Sequence, residues 1–319
     1  MSATTDTNAI STASKSQANH LNTYFLLILT NLIWGSTWVV AKLLTAQVPP
    51  LTASAVRFIM ATLALALLVR VYEGRIPALP RADRRVVLGM GLTGVFLYSV
   101  CFLIGLKFTS AGRGALIIAL NPAVIALAAW LIYKETMTPL KGLGIALALM
   151  GCVWVVGNGH PSKLLQGEVG WGELLIIGCV LAWAIYTFIS RRASGTVSPV
   201  VMNFYACLVG GVLLSLVALF EAPWRIIPQM AWQAWAELAY LAFFATALSY
   251  TWYLGAVKSL GAGRTALFTN LTPLSGVLMG ALFIGERLPW AVLAGGAVTI
   301  FGVGLTIWAD YRVKTQLKH

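Results

Sequence analysis

The sequence is poor in charge, and poorest in negative charge. Only 10% of its 319 residues are charged, and ten acids stand against twenty-two bases. Soluble domains carry about 25% charged residues, so an ordinary water-facing surface is excluded. Cys101, Cys152, Cys179 and Cys207 are the four cysteines, each alone in a different apolar run and without CxxC spacing. They read as small buried hydrophobes, not as a disulfide framework or a thiolate metal site. The acids are Asp6, Glu73, Asp83, Glu135, Glu168, Glu173, Glu221, Glu237, Glu286 and Asp310, and all lie in tails, loops or run ends. His20, His160 and His319 lie outside the runs as well. A proton relay through buried carboxylates is therefore not expected. The raw material for zinc, Ser-His-Asp or paired-carboxylate chemistry is missing at depth. No metal, no cofactor and no enzymatic activity are expected.

What the chain has in abundance is apolar length. Hydrophobic residues make up 59% of it, and the mean hydropathy is +0.83. About 20 apolar residues cross a hydrocarbon core of about 30 Å as a helix. Such runs fall at about 24–45, 52–72, 86–106, 112–132, 140–157, 171–190, 200–220, 235–256, 263–284 and 289–308. Proline marks the breaks, as at Pro49-Pro50, Pro77, Pro139 and Pro289. Runs of this length and apolarity do not suit barrel strands. The expected fold is an all-α membrane protein of ten transmembrane helices. With the N-terminus inside, the inner segments hold fifteen Lys and Arg and the outer segments six, Arg57 lying within a run. Both termini are thus expected in the cytoplasm. The net charge of +12 follows from this loop bias and does not call for a nucleic-acid partner.

The two halves of the chain repeat one another. An offset of 151 places Ala111-Gly112-Arg113 on Ala262-Gly263-Arg264, Pro122 on Pro273 and Glu135 on Glu286. It also places Gly144 on Gly295 and Gly151 on Gly302, while Leu32-Ile33-Trp34 matches Leu181-Ala182-Trp183 at 149, with Lys42 on Arg191. Chance likeness between apolar stretches explains scattered Leu and Ala matches, but not Gly-Arg, Pro, Glu and two Gly at one offset. The division is a disordered cytoplasmic tail 1–22, a first five-helix repeat 23–157 and a periplasmic linker 158–170. A second repeat 171–309 and a basic cytoplasmic tail 310–319 follow. Because five is odd, the second half enters from the opposite face. Inverted repeats of this kind build secondary transporters with a site near the midplane. The Gly pairs seven residues apart fit packing seams within the subunit, or a homodimer seam.

Leu32-Ile-Trp-Gly-Ser-Thr-Trp38 with Lys42, Arg57-Phe58, Asn121-Pro122 ahead of Glu135, and Thr272-Pro273 with Gly285-Glu286 resemble the EamA-type carriers of the drug/metabolite transporter superfamily. The resemblance runs from about Tyr24 to Trp308. It implies a helical basket around a central cavity lined by spans 1–4 and 6–9, with spans 5 and 10 to the side. It also implies export of amino acids or other metabolites from a bacterial inner membrane. Length and tryptophan content are similar to aromatic amino acid exporters of that family.

Candidate binding residues are the aromatic and polar groups at depth. Trp34, Trp38, Tyr98, Trp183, Tyr186, Tyr205, Tyr250 and Trp252 either line a cavity or pack in the core. Asn31, Asn121, Asn203, Asn270 and Ser249 supply donors and acceptors, for a solute or between helices. Arg57 and Lys42 either bind a carboxylate or reach headgroups and helix C-termini. Pro122 and Pro273 each free a backbone carbonyl, as a hinge or as a plain kink. The expected partners are a small-molecule substrate and the lipid bilayer. An aromatic cavity without acids suits a neutral or zwitterionic solute such as a hydrophobic amino acid, and suits a polyamine or metal ion badly.

Overall fold

A computed structural model describes residues 22–162, 170–260, 265 and 268–312, apart from the side chains of 257 and 258. Residues 1–21 of the tail, most of the linker, Gly263-Arg264 and the last residues of the chain lie outside what it describes. Among the described residues the chain is helical and carries no strand. Eight helices are long and apolar enough to cross a membrane: α1 (Asn22–Gln47), α2 (Pro50–Glu73), α3 (Arg81–Phe108), α4 (Ala111–Tyr133), α5 (Pro139–Val156), α6 (Trp171–Ser190), α7 (Pro199–Glu221) and, near the end of the chain, α10 (Trp290–Arg312). Between α7 and α10 run α8 (232–260), diluted by Tyr, Trp, Ser and Thr, and α9 (Leu271–Ile284), a shorter apolar helix.

Sequence dictates the helix ends. Pro50, Pro139 and Pro199 occupy first turns, where a missing N–H costs nothing. Thr138 and Ser198 cap α5 and α7 by accepting from Lys141 N and Val201 N at 3.2 and 3.4 Å. Their outer faces are apolar: Leu63 and Leu67, four apart on α2, are 67% and 64% exposed. Water would make that stripe expensive, whereas lipid makes it favourable.

The duplication is visible in backbone irregularities as well as in residue types. A π-helical stretch interrupts α3 at Gly91–Leu97, and another interrupts α8 at Tyr240–Leu248. Helix α4 breaks at Ala119-Leu120, and the same turn at Thr269-Asn270 precedes α9. Both α4 and α9 end on a left-handed residue, Lys134 and Gly285. In each case the next amide closes the turn six residues back, Glu135 N on Ala129 O and Glu286 N on Gly280 O.

Packing follows the same exchange of halves. Helix α5 lies against α10 and α2 against α7, so two helices meet their own repeat mates. The α3–α6 contact is matched by α8–α1, and α4–α6 by α9–α1. In the α5–α10 seam a methyl built on Gly151 would lie 2.5 Å from Gly295 O, and one on Gly144 would lie 2.7 Å from Gly302 O. The glycine faces are therefore occupied within the chain. An ion pair from buried Lys141 Nζ to the partly exposed Asp310 Oδ1, at 2.7 Å, ties the seam at one end.

Candidate functional site

The helices enclose a cavity of about 1830 Å³. Its wall comes from α1, α2, α3, α4, α6, α7 and α8, from the start of α9, and from the end of α10 through Thr306, Ile307, Asp310 and Tyr311. Helix α5 stays to the side, but α10 does not wholly do so. The wall reaches Glu135, Ser190, Arg191 and Gly195 at one face of the bundle. At the opposite face, where Pro49 joins α1 to α2, no described residue contributes to it.

That Pro49 face is sealed by polar contacts. Glu173, only 2% exposed, accepts Thr109 Oγ1 at 2.5 Å and pairs with Arg113 at 3.0 Å. Arg113 also donates to Val156 O at 3.0 Å. Both carboxylate oxygens of Glu286 accept the Gly112 amide, at 3.1 and 3.2 Å, so one half of the chain caps the α4 N-terminus of the other. Lys42 donates to Leu106 O and Thr109 O, the orphan carbonyls that end α3. At the opposite face Glu135 holds the exposed Arg191 at 3.0 Å.

Two aromatic walls face the cavity. On one, Trp38, Phe102, Tyr98, Trp183 and Tyr186 form a chain of ring contacts 4.9–5.9 Å apart. On the other, Trp34 meets Tyr250 and Tyr253 at 5.5 and 5.3 Å. The Trp34 ring is fixed by donating Nε1–H to Ala245 O, a carbonyl within the α8 π-helical stretch, at 3.0 Å. Tyr240, at the start of that stretch, shares a 2.5 Å hydrogen bond with Ser36.

Of the residues singled out from sequence, Trp34, Trp38, Arg57, Tyr98, Asn121, Pro122, Trp183, Tyr186, Asn203, Tyr250, Asn270 and Pro273 share this wall. Five others, Trp252 among them, lie off it. Asn31 is fully buried, donating to Leu27 O at 2.7 Å and accepting from Thr272 at 3.0 Å. Lys42 serves the end of α3, Tyr205 donates to Pro77 O at 2.8 Å, and Ser249 is buried within α8. Pro122 occupies the first turn of the restarted helix Asn121–Tyr133, and Pro273 the first turn of α9. Each ring thus follows a break where no intrahelical partner is due. Asn121 Oδ1, Asn203 Nδ2 and Arg57 Nε are buried without a protein hydrogen-bond partner.

Thr246 and Tyr253 join the wall without having been singled out. Their positions in span interiors were visible, but not which way they face.

The profile of the EamA-like transporter family matches residues 21–157 and again 170–308. The chain belongs to this family. It is 30% identical to the uncharacterized transporter YyaM of Bacillus subtilis over 301 residues, covering 93% of this chain and 98% of the relative. The uncharacterized transporter YetK of the same organism is 29% identical over 288 residues, covering 90% and 87%. A crystal structure with 22% sequence identity superposes at a TM-score of 0.60 over 90% of this chain and 98% of that one, a likeness of fold. This EamA-like chain is therefore a multi-pass membrane transporter, and none of these relatives names its cargo.

Proposed function

We propose that this transporter crosses a bacterial inner membrane ten times, as two inverted five-helix repeats with both termini in the cytoplasm. It exports small amphipathic metabolites, hydrophobic and aromatic amino acids foremost, by alternating access. The observation that carries this reading is one cavity built from both repeats, reaching the Glu135 face and sealed at the Pro49 face. By the Lys and Arg count the Glu135 face is cytoplasmic, which makes the described state inward-open. Two halves that exchange contacts pairwise can form a second arrangement of similar energy with the seal on the other side. The breaks ahead of Pro122 and Pro273 are the natural hinges, since each interrupts the regular helical turn.

The aromatic walls suit a solute with an apolar ring or chain, and Asn121, Asn203 and Asn270 offer polar contacts beside them. The test is counterflow in proteoliposomes holding only this protein. Preloaded unlabelled phenylalanine, tryptophan or leucine is expected to drive saturable uptake of the labelled amino acid. Uptake no faster than in protein-free vesicles, for every amino acid and metabolite tried, would sink the carrier reading.

A further inference from the structure

One cation on the cavity wall has no acid to balance it. Arg57 extends from the first half of α2 into the wall, and its Nη2 makes a long contact of 3.4 Å to Thr246 Oγ1. Its guanidinium carbon lies 5.2 Å from the centre of the Phe58 ring, and its Nε has no hydrogen-bond partner. The two acids on the wall, Glu135 and Asp310, sit at the Glu135 face and are held by Arg191 and Lys141 at 3.0 and 2.7 Å. Among the described residues the deep part of the cavity therefore carries one net positive charge.

An arginine does not escape this by losing its proton, since its pKa lies far above any working pH. An unbalanced ion in a low-dielectric interior is costly, and inside a membrane it marks a functional group by default. The planar fork of a guanidinium matches a carboxylate in two parallel hydrogen bonds. Next to it Tyr250 stands one turn along α8 from Thr246, and Tyr98 and Asn203 share the same wall. A carboxylate held there would direct an attached ring or chain along the aromatic walls.

The same geometry weighs against a second charge. Among the described residues of the wall no unpaired acid is left to receive an ammonium. In an α-amino acid that group would lie within about 5–6 Å of the guanidinium, where like charges repel strongly at low dielectric. Ring faces recover part of this by cation–π attraction, but a charge pair they are not. We infer that the preferred solute is a net monoanion, one carboxylate on an aromatic or branched apolar body, bound through Arg57. This rests on the proposed carrier function but revises the order of its cargo: among small amphipathic metabolites the monoanionic acids come first, zwitterionic amino acids become the weaker substrates, and each turnover carries a charge.

The full-length protein in detergent is titrated with phenylacetate, indole-3-acetate, phenylalanine, phenylacetamide and phenethylamine, read by tryptophan fluorescence, and the binders go into counterflow. Both arylacetates are expected to bind at least about tenfold more tightly than phenylalanine, with the amide and the amine weaker still. Arg57→Gln lowers arylacetate affinity at least about tenfold and erases the preference over the amide, while Arg57→Lys keeps part of it. Equal binding of phenylacetate and phenylacetamide by the unaltered protein overturns the inference, as does the absence of arylacetate binding. Both results leave the carrier reading standing, which fails only if no solute of any charge exchanges. The comparison within the unaltered protein decides the matter even if an Arg57 variant does not fold.

Discussion

Trp34 carries two tasks in one side chain: its ring faces the cavity and its N–H ties α1 to α8 through Ala245 O at 3.0 Å. Trp34→Phe keeps an aromatic surface and removes the donor. A loss of about 1 kcal/mol in stability is expected, together with several-fold weaker substrate binding as Tyr250 and Tyr253 lose their fixed neighbour. Thermal unfolding and counterflow read the two effects separately; unchanged affinity would show that the ring only packs. Lys42 gives the opposite pattern. Its ammonium serves the carbonyls of Leu106 and Thr109, so Lys42→Met strands them at a cost of about 1–3 kcal/mol. Substrate affinity should be unchanged, and a weaker half-saturation in counterflow would contradict the assignment.

At the scale of helices, the seam between α5 and α10 is the most intolerant contact. Backbone atoms stand where a side chain at Gly151 or Gly302 would go, 2.5 Å from a methyl at either. Gly151→Leu and Gly302→Leu are expected to destabilise the fold by about 3 kcal/mol or more, seen as loss of the monodisperse peak in fluorescence size exclusion. Gly142→Ala, with nothing within 4 Å, serves as the neutral control. This seam was legible in the sequence, because a seven-residue glycine spacing repeated at one offset has few other uses. Eight of the expected spans and the duplication were legible for the same reason: apolar length and paired Pro, Glu and Gly are one-dimensional signals. The aromatic walls were not. A helix with lipid on one side and an apolar cavity on the other has no polar stripe, so periodicity cannot tell Trp34 on the wall from Asn31 off it. The π-helical stretches in α3 and α8 were also hidden, since they contain ordinary helix residues and arise from packing.

For the whole molecule, the seal at the Pro49 face decides which side the cavity meets. Glu286 and Glu173 hold it by capping Gly112 and pairing with Arg113. Glu286→Ala should release about 1–2 kcal/mol of that seal and raise the population open to the Pro49 face by about 5–30-fold. A cysteine at Thr37, on the cavity wall, reports it in a Cys207→Ala background. An impermeant maleimide added at the Pro49 face should label it faster when Glu286 is absent; an unchanged rate would mean the seal lies elsewhere. In the proposed alternation between two mirrored access states, almost any substitution in one half would tip the balance. Near parity, each 1.4 kcal/mol of imbalance skews the resting ratio about tenfold. The α5–α10 seam is the exception, because Gly144 meets Gly302, the copy of Gly151, and Gly151 meets Gly295, the copy of Gly144. An exchange of the two halves returns this set of contacts to itself. Damage there should weaken both states alike, making the seam the fulcrum of the motion: a place where evolution can trade stability without choosing a direction of transport.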